Sequence, residues 1–196
     1  MMKLMSYFTL KGEIPMLNRI KVNLDAVEAM YYFWTAVSEK ENVSEQFFND
    51  LALMPAMKYM YDDEFNEESV RRTLSAIKNR EPFTGNKKEK RFWNYNMWVM
   101  EDFEYTNMMI QPLKKLNLEE LVDKLRDYTK FDKDKERYEE LEVIFSPMHM
   151  QEYIIKDNML LINFFRVKPS DFDERTFIGE VEIKEYIERK LKELLS

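Results

Sequence analysis

Cysteine is absent from the 196 residues, histidine occurs once and glycine three times. Without a thiol there is no disulfide, no thiolate zinc or iron–sulfur ligation and no cysteine nucleophile. The glycines stand singly at Gly12, Gly85 and Gly179. A dinucleotide-binding fingerprint, a phosphate loop or a nucleophile elbow needs two or three of them close together, so all three motifs are excluded. The lone imidazole of His149 excludes any centre that requires two. No apolar run nears the roughly 20 residues of a membrane-crossing helix. Residues 1–10 carry one lysine, with neither a long apolar core nor a small-residue cleavage site, so no signal peptide is expected.

What is present is a core. Hydrophobic residues make up 45% of the chain and aromatics 14%, which excludes intrinsic disorder. The length suits a single domain over 1–196. Thirty basic residues against 37 acidic ones leave a net charge of −7, a balance that opposes non-specific binding to a phosphate backbone. The expectation is a cytoplasmic protein with no membrane segment and no cofactor.

Periodicity then predicts the elements. A short strand within 16–22 leads to Asn23 as an N-cap and a helix over 24–39, on which Leu24, Val27, Met30, Tyr31, Trp34 and Val37 share a face. Ser44 opens a second helix that Pro55 kinks or ends, and Asn66 caps a third that runs to about Lys78. After a loop at 81–86, one long helix is predicted over 87–110, stopped by Pro112. Asn117 with Glu120 spells a capping-box variant that opens a helix to about Tyr128. Strand texture follows over 141–145, with a hairpin of 153–155 and 159–167 around Lys156, Asp157 and Asn158. A charged amphipathic helix closes the chain at 180–195. The fold class is α+β and mainly helical: a helical body over 16–130, a small C-terminal sheet over 141–168 that the N-terminal strand joins, and the closing helix. Val181, Ile183, Ile187, Leu191 and Leu194 form a stripe on that helix, a docking face for the chain's own body or for a second chain.

Candidate chemistry is sparse. Asp132, Asp134 and Glu136 fall at calcium-loop positions 1, 3 and 5, but Arg137 replaces the turn glycine and Val143 the bidentate glutamate. Asp171 and Asp173 fail likewise, with Arg175 in the run. Asp62, Asp63, Glu64, Glu67 and Glu68 fit a helix start better than a metal. His149, between two predicted strands, is the one weak candidate for a general base, working with carboxylates. Lys87, Lys88, Lys90 and Arg91, followed by Phe92, Trp93, Tyr95 and Trp98, form the only basic and aromatic block, the pattern of phosphate contacts with base stacking. Phe92, Trp93, Trp98 and Met100 read more economically as core.

The order of elements resembles a known family. The helix begun by 22–30, the segment 47–57, then Val143, Ile144 and Phe145, and then 160–163 are similar to the N-terminal part of gluzincin-type zinc peptidases of bacteria, over roughly 16–168. The resemblance implies a helix after the sheet bearing H-E-x-x-H. Residues 180–186 occupy that place without a histidine, so no catalytic or metal residue carries over. Three functions stay open: a non-catalytic binding or interaction protein on such a degenerate scaffold, an enzyme using carboxylates with His149, and a nucleic-acid-associated protein working through 87–91.

Overall fold

A computed structural model describes residues 16–132 and 134–196. Gly12 and the leader reading of 1–10 lie outside those residues. Among the described residues there are eight α-helices and seven short strands, the α+β, mainly helical class expected. No helix among them is long and apolar enough to cross a membrane.

β1 (Arg19–Asn23) leads straight into α1 (Asp25–Ser38), with the Asn23 side chain accepting from the Asp25 amide at 2.9 Å. α2 (Glu45–Leu53) starts at Ser44, whose hydroxyl accepts from the Phe47 amide. Pro55 ends that helix by taking the first position of the short α3 (Pro55–Lys58), where its missing N–H costs nothing. Asn66 caps α4 (Glu67–Asn79) through the Glu68 and Ser69 amides. The long helix expected over 87–110 is two helices, α5 (Lys87–Glu101) and α6 (Phe103–Lys114). Asp102 breaks it: extended backbone there lets its carboxylate accept from the Tyr105 amide as a new N-cap. The Thr106 hydroxyl donates to the Val99 carbonyl that the break leaves free. Pro112 does not stop α6 but sits inside its last turns, losing only the bond to the residue four back, the exposed Met108. α7 (Glu119–Thr129) follows.

The main sheet has the order β1-β2-β4-β3, with β2 spanning Glu140–Ser146, β3 Tyr153–Lys156 and β4 Met159–Asn163. β1 is parallel to β2, and β2 to β4, while β3 closes the hairpin antiparallel to β4. All seven preceding helices cross over between β1 and β2. The hairpin turns without glycine because Asp157 adopts φ 52°, a left-handed conformation that Asp and Asn tolerate. The strand expected over 159–167 ends at Asn163. Its buried side chain accepts from the Phe165 amide and donates to the Gln151 carbonyl, turning 164–166 into a single 3₁₀ turn. Strands also continue beyond 168, where β5 (Val167–Pro169), β6 (Thr176–Ile178) and β7 (Val181–Glu182) form a second, antiparallel sheet.

The closing helix α8 (Ile183–Leu194) starts later than expected, because Val181 and Glu182 are spent on β7 and the Glu182 carboxylate caps the helix. Its stripe of Ile183, Ile187, Leu191 and Leu194 is buried against β4, β6, β7 and α7. That stripe is therefore covered by the chain itself and is not a free docking face. α1 and α3 pack on β2, and one continuous core joins the helices to both sheets.

Candidate functional site

The chain's single imidazole is sealed. His149 lies in the loop after β2 and is 2% exposed, its ring 4.2 Å from that of Phe65. Nε2 meets the Met60 carbonyl at 3.2 Å. A carbonyl only accepts, so Nε2 carries the proton, and the buried Nδ1 is a bare acceptor with no partner among the described residues. A general base must reach a substrate proton. This ring instead fastens the loop to the turn that precedes α4.

Desolvation holds the His149 pKa below its ordinary value, and the Lys88 and Arg91 charges add to the effect, while the Met60 carbonyl and Asp62 oppose it. The folded chain then stays neutral at His149 at a pH where the unfolded chain, with its pKa of 6.5, has bound a proton. Stability from this group is complete well above that pH and is lost as the pH falls through it toward the folded value. Urea midpoints of wild type and His149→Gln at pH 7.5, 6.5 and 5.5 should therefore converge on acidification, with wild type losing more. Parallel curves would show that the ring titrates as it does in water.

The basic block divides. Lys88 turns toward the 62–64 turn and bridges Asp62 at 2.6 Å and Glu64 at 2.9 Å. Those bonds raise its pKa and lower that of Asp62. Lys87, Lys90 and Arg91 share the outer face of α5 with Asn94, around a shallow hollow. The helix N-terminus behind them is not an open anion nest. Asn86 accepts from the Lys88 and Glu89 amides, and Glu89 closes the capping box on the Asn86 amide at 2.9 Å. Gly85 leaves room for this box, since an added Cβ would stand 2.5 Å from Glu89 Oε2. Of the aromatics, Phe92 is core as expected, but Trp98 is 41% exposed and stands against Tyr105 across the α5–α6 break.

One acid in each of the two runs is engaged by a basic side chain. Asp132 pairs with Lys135 and accepts from the Asp134 amide, and Asp173 pairs with Arg175 at 2.7 Å. That hydrogen-bonded pair lowers the Asp173 carboxyl to about 2. Among the described residues no three His, Cys, Asp or Glu side chains are grouped as metal ligands.

The sequence did not point to a cleft of about 560 Å³ between α6 and the loop joining β5 to β6. Ligand clefts run about 300–1,000 Å³ and are lined mainly by apolar groups with a few polar ones. Phe103, Met108, Pro112 and Pro169 supply the apolar lining here, and Asn107 and Gln111 the polar neutral part. The loop beside it is built rather than slack. The Ser170 hydroxyl accepts from the Phe172 and Asp173 amides, and the Ser170 amide donates to the Arg175 carbonyl. This holds Phe172 outward, 94% exposed. A lone phenylalanine in Ser-Asp-Phe-Asp-Glu-Arg, outside any apolar period, was the available signal.

No family model, curated protein or solved structure matches this chain.

Proposed function

We propose that the protein is a non-catalytic binding protein on a scaffold similar to that of gluzincin-type zinc peptidases. The observation that carries this reading is the burial of His149, which is 2% exposed and has its one N–H committed to Met60. The helix that follows the sheet supports it. At i and i+4, the spacing of that family's two zinc-binding histidines, α8 buries Ile183 and Ile187 in the core, with Tyr186 buried between them. The Tyr186 hydroxyl donates to Glu152 at 2.9 Å, and burial followed by that bond raises its pKa well above the ordinary value. The cleft beside α6 has the size of a ligand site. The one strongly shifted group on it, Asp173, is held ionised by Arg175 and so is a poor proton donor.

The test combines elemental analysis with a general protease assay. Dialysed protein should hold far less than one zinc per chain, and fluorescence-quenched casein should stay intact with or without added Zn²⁺. Zinc-dependent cleavage that disappears in His149→Gln would overturn the reading.

A further inference from the structure

The cleft between α6 and the 170–175 loop has a charge to match its apolar lining. Glu104, Asp173 and Glu174 line it, while Asp102 just precedes Phe103 and Asp171 belongs to the adjoining loop. Among the described residues two basic side chains answer them: Lys115, 3.2 Å from Glu174, and Arg175 on Asp173. Among the described residues Glu104 and Asp171 make no ion pair. Asp171 also stands close to α6: its charge, with that of Asp102, acts on Tyr105, outside the lining, whose hydroxyl is raised by burial first and then by those two carboxylates. Length points to a polymer. The lining runs along one side of α6 from Phe103 to Lys115, a rise of roughly 18 Å at 1.5 Å per residue. That is the span of about five or six extended residues. Met108, 41% exposed, puts large apolar surface at the middle, and its flexible thioether adapts to varied side chains.

We propose that this cleft takes an extended peptide segment of a partner protein, with apolar side chains seated along α6 and lysine or arginine answering Glu104 and Asp171. The inference rests on the binding reading above. It goes further in fixing the partner's chemistry as cationic and apolar together.

Fluorescence anisotropy with three labelled synthetic peptides tests it: one alternating lysine and leucine, one with glutamate in place of lysine, and one with serine in place of leucine. The lysine–leucine peptide should bind, and each of the other two at least about tenfold more weakly. Raising the salt from 50 to 300 mM should weaken binding, because the rim charges are solvent-exposed. Met108→Ser and Glu104→Lys, both surface changes whose unchanged melting shows an intact fold, should each weaken it several-fold. Equal binding of the lysine–serine peptide would reduce the effect to general acidity and overturn the proposal, as would binding indifferent to both substitutions or no binding at all. A glutamate–leucine peptide that bound equally well and was lost in Met108→Ser would overturn the cationic partner while leaving a binding cleft. The non-catalytic reading itself falls only to zinc-dependent cleavage.

Discussion

Asn96→Ala is expected to destabilise the protein by about 2–4 kcal/mol, combining an unsatisfied buried donor with a small cavity. Asn96 is fully buried on α5 and joins two helices through one amide. Its oxygen accepts from the Trp34 indole N–H of α1 at 2.7 Å, and its nitrogen donates to the Phe92 carbonyl at 2.8 Å. Trp34 is itself fully buried and stacked on Phe164, beneath the turn that ends β4. Truncation at 96 leaves that indole N–H buried without its partner. A loss of this size is a large fraction of the roughly 5–15 kcal/mol that holds a domain together. Trp34→Phe removes the donor from the other side and strands the Asn96 oxygen. Once either partner is gone the second change has less to break, so the double variant should be more stable than additivity predicts by about 0.5–3 kcal/mol. Urea unfolding of the four proteins measures this directly. Strict additivity would show that the bond contributes nothing beyond packing.

The fold was legible wherever a local signal and the tertiary structure agreed. Ser44 and Asn66 cap the helices they were expected to cap, and β1 joins the C-terminal sheet beside β2. Where they diverge, the cause is a specific competitor. Asn86 to Glu89 and Asn117 to Glu120 have the same N-x-x-E spelling, yet only the first closes a capping box. At the second, Asn117 accepts from the Glu119 amide but Glu120 is drawn away to Lys184 of α8, 3.3 Å distant. The break at Asp102 is invisible to periodicity because large apolar residues continue through it, and only its carboxylate on the Tyr105 amide marks the new helix. The candidate site was least legible. The burial of His149 depends on Phe65 and Met60, more than 80 residues away in the chain, and no local pattern encodes that distance. The cleft beside α6 likewise exists only because Pro169 and Glu174 are carried back against Lys115 by the second sheet.

Removing residues 180–196 should abolish cooperative folding rather than trim a tail. The deletion takes away β7 and all of α8, and with them the buried Ile183, Ile187, Leu191, Leu194 and Leu195. At about 1.5–3 kcal/mol for each buried aliphatic side chain, the loss is on the order of 7–15 kcal/mol. That matches the entire stability of a typical domain. The exposed polar pairs cannot compensate: Glu188 with Lys192, 2.6 Å apart one turn on, contributes about 0.2–0.5 kcal/mol. The side of β4 that α8 covers would also be laid open to solvent, a route to aggregation. The truncated chain should accumulate as insoluble protein or, if recovered, lack a sigmoidal melting transition. Leu191→Ala grades the same interface without removing it and should cost about 2–5 kcal/mol while keeping a two-state transition. A truncated protein that melted like the full chain would mean that the sheet and the seven preceding helices stand without α8. The burial of its stripe would then be a docked state that the chain can leave.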